Sequence, residues 1–334
     1  MMFDLPIIWA FILAFAVFTY VVLDGFDLGI GIVFPLLGTD ENRARAMNSV
    51  APVWDGNETW LILGGGGLFA AFPLAYAVLM PALYAPMIAM ILALIFRGVA
   101  FEYRWRNPAH RSFWDRGFHL GSLAATCAQG IVLGTIVQGI EVEGRSYSGG
   151  WWDWVSPFSV MCGIALTAGY GLLGTTWLVL KSTGDLRERA YVLARIAAIA
   201  TLGFIGVVSL WMPFLSPEIA ARWFTFPQIV FVLPVPTLTT ALAALLAWGL
   251  MTKRDAVPFP ASIGLFGLCF AGLGIGLYPY IVPRAISIQE AAAPDGSLQF
   301  MLIGAAILLP MILAYTAYSY WVFRGKVDPD AGYH

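Results

Sequence analysis

Long apolar runs separated by short polar stretches set the pattern of this chain. A helix needs about 20 predominantly apolar residues to cross a hydrocarbon core of about 30 Å. Nine runs meet that description, at roughly 6–36, 58–75, 77–103, 115–139, 157–180, 190–214, 228–251, 259–279 and 299–323. They are continuous and do not alternate residue by residue, which excludes a membrane β-barrel. The pattern predicts an all-α integral membrane protein with nine transmembrane helices, arranged as two four-helix bundles plus one C-terminal helix. Only Phe72-Pro73-Leu74 divides the second run from the third. The first run exceeds a signal peptide in length and lacks a basic leader, so it is expected to be retained. Residues 1–334 read as one transmembrane domain: a first bundle over 1–140, a second over 141–280, and the last helix with its tail over 281–334.

Composition supports this class. The 60% hydrophobic and 11% charged content of the 334 residues removes an ordinary soluble domain. The net charge of −2 offers nothing to a nucleic acid. Basic residues carry more information through their placement. Arg43, Arg45, Arg104, Arg106, Arg111, Lys181, Arg187, Arg189, Lys253, Arg254, Arg324 and Lys326 fall in one set of alternate loops and the tail, while Arg145, Arg222 and Arg284 fall in the other. Such a bias marks the richer side as cytoplasmic. The N-terminus is then expected outside, in the periplasm of a bacterial inner membrane, and the C-terminus in the cytoplasm.

Candidate chemistry concentrates in the first three runs. Asp24 and Asp27 interrupt the first, and three-residue spacing puts them on one helical face. At about 1.5 Å per residue they fall in the inner half of the bilayer, where a carboxylate costs a few kcal/mol. Next comes Trp54-Asp55-Gly56-Asn57-Glu58-Thr59-Trp60, two acids flanked by tryptophans at a helix start. A plain alternative for this stretch is a helix cap with an aromatic anchor at the membrane surface. The third run ends with Arg97, Glu102 and Arg104. Arg97 is deep enough to call for an internal partner such as Asp24, Asp27 or Asp55, whereas snorkelling to lipid phosphates accounts for Arg104 and Arg106. Gly64-Gly65-Gly66-Gly67 requires close packing or a local break, because glycine is a poor helix former.

Other chemistries find little footing. Cys127, Cys162 and Cys269 lie singly in different runs with no CxxC pair, so they read as packing residues and no metal site is expected. His110, His119 and His334 lie outside the mid-membrane depth that a haem ligand needs, and His119 reads as a solvated interfacial side chain. The second half contributes glycines, hydroxyls and an outer aromatic belt at Trp151, Trp152, Trp154, Trp223 and Tyr278. Carboxylates on the cytoplasmic side suit proton uptake, since they exchange protons with bulk water and desolvation brings that exchange toward neutrality. Two classes stay open on residue chemistry: a proton-coupled secondary transporter, or a subunit of a membrane redox complex with a proton-supply or purely structural part. A transporter built from inverted repeats would carry polar groups in both halves, and here they are confined to one.

Three segments narrow the choice. Leu23-Asp24-Gly25-Phe26-Asp27-Leu28-Gly29-Ile30-Gly31, Ala51-Pro52-Val53-Trp54-Asp55-Gly56-Asn57-Glu58-Thr59-Trp60 and Phe96-Arg97-Gly98-Val99-Ala100-Phe101-Glu102-Tyr103-Arg104 closely resemble subunit II of cytochrome bd-type quinol oxidases. Chain length and the Glu58 variant look like the compact, cyanide-insensitive branch. The resemblance implies a partner, subunit I, that ligates two b haems and a d haem, oxidises quinol and reduces oxygen to water with protons from the cytoplasm and no pumping. It implies that this chain ligates no haem and that Asp55 belongs to the proton route; the sidedness of the acid cluster adds Glu58, Asp24, Asp27, Arg97 and Glu102 as candidate path and charge-tuning residues. Trp54, Asn57 and Trp60 would lie near the haem-bearing subunit. Some members add a structural quinone within subunit II or a small single-span third subunit.

Overall fold

The computed structural model describes residues 4–215, 217–226 and 228–327. Thirteen helices follow one another: α1 Leu5–Val33, α2 Asp40–Asn48, α3 Trp54–Ala71, α4 Pro73–Arg106, α5 Arg111–Gln138, α6 Pro157–Lys181, α7 Gly184–Leu215, α8 Pro217–Phe224, α9 Gln228–Val232, α10 Pro234–Met251, α11 Pro258–Leu277, α12 Ile288–Ala291 and α13 Asp295–Val322. Two small hairpins interrupt them, β1 Val142–Glu143 with β2 Ser146–Tyr147, and β3 Tyr280–Val282 with β4 Ile286–Ser287. Among the described residues, eight helices are long and apolar enough to cross a membrane: α1, α4, α5, α6, α7, α10, α11 and α13.

The expected second span is the one outside that set. α3 has 18 residues, and its tryptophan-flanked acidic start together with four glycines lowers its mean hydropathy. Its end does fall where Phe72-Pro73 predicted, because Pro73 opens α4 and leaves no amide to continue α3. The seventh expected span, 228–251, is also broken. α9 ends at Val232 and α10 begins at Pro234, where the proline suits a first helical turn but not a helix interior.

Gly29 sets the crossing of α1 with α6. A methyl group added there would sit 1.9 Å from the Tyr170 carbonyl oxygen, and one added at Gly174 would sit 2.4 Å from the Gly29 carbonyl carbon. Two backbones meet at this point, which only paired glycines permit. Around the crossing, Phe26 stacks on Trp177 with centroids 4.3 Å apart, and the largest buried cluster continues through residues of α1, α2, α4, α5, α6, α7, α10 and α11.

α13 lies differently. Of its described residues only Leu298 is buried. Tethers near its ends hold it instead: the Trp9 indole N–H donates to the Leu298 carbonyl at 3.0 Å, and the tail beyond its last turn closes on α6. There Lys326 Nζ donates to the Val179 carbonyl at 3.3 Å and to Asp255 Oδ2 at 2.8 Å, while the Val327 N–H donates to the Lys181 carbonyl at 2.8 Å. The tail thus supplies donors that the last carbonyls of α6 lack within their own helix. Asp255, in the loop between α10 and α11, also accepts from Arg187 Nε at 2.9 Å and Tyr191 Oη at 2.7 Å.

Candidate functional site

α1 carries Asp24 and Asp27 into the protein interior, and both are fully buried. Their neighbours come from three other helices. The first turn of α3 places Asn57 beside them, where its Nδ2 donates to Asp27 Oδ2 at 2.7 Å and to the Leu23 carbonyl at 3.3 Å. Asn57 Oδ1 accepts from the Tyr320 hydroxyl of α13 at 2.9 Å, so the amide is held from both ends. From α4, Arg97 enters the same space with no exposed surface. Its Nη1 donates to Glu58 Oε1 at 2.8 Å and lies 4.0 Å from Asp24 Oδ1. The guanidinium also rests near the rings of Trp54 and Phe118, at 5.8 and 5.6 Å from their centroids.

Glu58 and Asp24 therefore flank one guanidinium, with Asp27 held beside them by Asn57. Both oxygens of Asp24, Oδ1 of Asp27, and Nε and Nη2 of Arg97 form no direct hydrogen bond within the described chain. Leaving so many charged atoms with spare capacity is costly in a low-dielectric interior, and such sites are where protons or internal waters are exchanged. The opening of the cluster lies on α3. The side chain of Glu58 is 28% exposed, and Asp55, one turn before it on the same helix, is exposed. Asp55, Glu58 and the Asp24–Asp27 pair thus run from open surface to full burial.

Several expectations change with these positions. Asp55 does not join the buried acids; it faces outward from α3 beside the exposed Gly56. Arg97 has the internal partner its depth demanded, with Glu58 the nearest carboxylate. Glu102 is half-buried and lies five residues beyond Arg97, roughly 140° further round α4. Trp60 is buried against α1 with its ring edge-on to Phe15 at 5.8 Å, and Trp54 packs on Phe101 at 5.1 Å. Arg104 does not snorkel. It is fully buried, with Nε on Asp115 and Nη2 on Asp40, both at 2.6 Å. Asp40 in turn accepts from Arg111 at 2.7 Å, which ties α2, α4 and α5 together. His119 is only half-exposed, and its Nδ1 lies 2.9 Å from the Gly31 carbonyl, so a backbone contact replaces the solvated position expected for it. In the tetraglycine stretch, Gly67 lies against Leu13 of α1 while Gly65 and Gly66 face open space, and the helix runs through unbroken.

A second feature lies apart from the acids. α5, α6, α7, α10 and α11 border a cavity of about 380 Å³ with an almost wholly apolar wall, including Phe158, Leu166, Phe204, Met212 and Phe266. Among the described residues no group of three His, Cys, Asp or Glu side chains converges as a metal site would require.

Comparison with known proteins places these features in a family. Residues 5–323 match the family model described as cytochrome bd terminal oxidase subunit II. The chain is 29% identical to cytochrome bd-I ubiquinol oxidase subunit 2 of Escherichia coli K12, covering 98% of this chain and 96% of that one. It is likewise 29% identical to cytochrome bd ubiquinol oxidase subunit 2 of Bacillus subtilis, covering 96% of each. In three dimensions it resembles a chain of the bd oxidase from Geobacillus thermodenitrificans, with a TM-score of 0.75 at 18% identity over 95% of this chain and 98% of that one.

Proposed function

Because the chain belongs to the cytochrome bd terminal oxidase subunit II family, we propose that it feeds cytoplasmic protons to oxygen reduction in subunit I of a quinol oxidase. The observation that supports this reading is the graded exposure of one set of acids, from Asp55 through Glu58 to Asp24 and Asp27, gathered about Arg97. A proton taken from water by Asp55 passes to Glu58 and then to the pair on α1. Each transfer neutralises one carboxylate while Arg97, which does not deprotonate, keeps the remaining acids balanced. Asn57 fixes Asp27 and links it to α13 through Tyr320.

The b and d haems belong to subunit I and supply the oxygen chemistry; this chain ligates none of them. Protons and electrons reach that chemistry from opposite sides, which makes turnover electrogenic without a pump. α3 counts as a ninth, partly polar crossing, so the N-terminus is periplasmic and the C-terminus cytoplasmic in the inner membrane. Glu102 tunes charge at the cytoplasmic end, and Trp54 and Trp60 border the path to the haem-bearing subunit. The apolar cavity accommodates the hydrocarbon part of a structural quinone, because its wall offers rings and aliphatic side chains and little polar surface.

Asp55→Asn tests the reading in the purified complex. Haem content is expected to stay normal while oxygen consumption falls by about tenfold or more, within the span typical of lost proton transfer. Full turnover in that variant would remove Asp55 from the route. Loss of haem would assign it to holding the subunits together.

A further inference from the structure

A line of uncharged polar side chains runs from the acid cluster into the second half of the chain. Tyr170 of α6 is fully buried, and its hydroxyl donates to Gln129 Oε1 of α5 at 2.9 Å. Gln129 Nε2 donates in turn to the Tyr20 hydroxyl oxygen of α1 at 2.8 Å, and Tyr20 is itself buried. An amide has one end that only donates and one that only accepts, so this line has a direction. The Tyr20 oxygen accepts a hydrogen bond from Gln129, which leaves its own O–H free to donate. Asp24 lies one turn further on the same face of α1. Both Asp24 oxygens have room for such a donor.

The packing preserves this arrangement. Gly25 follows Asp24, and a methyl group there would sit 2.9 Å from Tyr170 Cε1, so glycine lets the tyrosine ring lie over the acid's own helix. Phe266 packs against that ring with centroids 6.0 Å apart. A buried polar line among aromatic and aliphatic side chains is stable only when its members are satisfied in sequence, and the line ends at Tyr20, one helical turn before an acid whose oxygens accept no hydrogen bond.

We infer that Tyr20 is a positioning residue for Asp24: the Tyr170–Gln129–Tyr20 line presents one O–H to that carboxylate through one water and sets how readily Asp24 accepts and releases its proton. This rests on the proton-supply reading above. The titratable groups facing Asp24 are Tyr20 and Asp27 of α1, Glu58 of α3, Arg97 of α4, Tyr170 of α6 and Tyr320 of α13. Of these only the two tyrosines of the line can be altered without touching the charged cluster or Asn57.

The test is Tyr20→Phe in the purified two-subunit oxidase, read by the pH profile of quinol-driven oxygen consumption. Haem content and maximal turnover are expected near normal, with the profile midpoint displaced by about half to one pH unit toward higher pH, since the ionised acid has lost a donor. Tyr170→Phe should displace it in the same direction by less, because Gln129 and Tyr20 remain joined. An unshifted profile in Tyr20→Phe with full haem content overturns the inference. If Tyr20→Phe assembles poorly, Gln129→Met is read in its place, and haem loss in both variants also overturns it by making the line structural. Asp55→Asn, measured alongside, separates the two ideas. A fast Asp55→Asn enzyme sinks proton supply, whereas a slow one with an unshifted Tyr20→Phe profile sinks only the positioning of Asp24.

Discussion

Neutralising Arg97 would leave Glu58, Asp24 and Asp27 facing one another without a counter-ion. Breaking a buried pair from one side costs about 3–5 kcal/mol. Arg97→Leu is therefore expected to lower the yield of haem-retaining complex and its thermal midpoint, measured by absorbance during a temperature ramp. Arg97→Lys should restore part of the stability but less of the turnover, since an ammonium cannot present the same planar fork to Glu58. Arg104 separates stability from activity. Arg104→Met abandons Asp40 and Asp115, so the same ramp should show a loss of similar size, while oxygen consumption per haem in the surviving complex stays within about twofold. The sequence separates the two arginines by depth alone, with Arg97 inside the third apolar run and Arg104 just past its cytoplasmic end. Nothing in that pattern told snorkelling from burial, because the partners of Arg104 lie in α2 and α5, where Asp40 and Asp115 read as ordinary surface acids.

Helices differ in what their sequences disclose. The apolar runs locate α1, α4, α5, α6, α7, α11 and α13 to within a few residues, and Pro73 marks the start of α4. α3 was the harder element, since the apolar run 58–75 borrows Pro73, Leu74 and Ala75 from α4 while the helix itself starts at Trp54 and takes in Asp55 and Asn57. The acids of α1 were legible from their cost at membrane depth. Tyr20, Gln129, Tyr170 and Tyr320 were not, because a tyrosine in an apolar run is indistinguishable from belt or core until its hydroxyl finds a partner. At the α1–α6 crossing, Gly29→Leu drives a side chain into the Tyr170 backbone, and no complex should accumulate in membranes by immunoblot. The tail contact is sensitive to acid. Partial burial works to raise the Asp255 carboxyl, but hydrogen bonds from Lys326, Tyr191 and Arg187 outweigh it and hold the group below its ordinary value. A group lowered in the folded state stabilises above its unfolded value, about 3.9, and loses that contribution as pH falls through the folded one. Carboxypeptidase release of the tail should be slow at neutral pH and quicken only below about pH 4, whereas Lys326→Ala should release it at every pH. The half-exposed site limits the contribution to about 1 kcal/mol.

Across the whole chain, charge and hydrocarbon are kept apart. Acids and their arginine occupy the region where α1, α3, α4 and α13 meet, and the apolar cavity lies among α5, α6, α7, α10 and α11. Ala165 lines that cavity, so on the proposed quinone role Ala165→Phe should reduce the quinone recovered per chain by about twofold or more in solvent extracts, with little effect on turnover. Tyr320 joins the two ends of the sequence, since its hydroxyl reaches Asn57 from a helix translated long after α1, α3 and α4. A nascent polypeptide halted before α13 would hold Asp27 by an amide with one arm free. Completion of the acid cluster thus waits on the closing stages of synthesis, and fragments released early would lack the Tyr320 contact even if every acid were present.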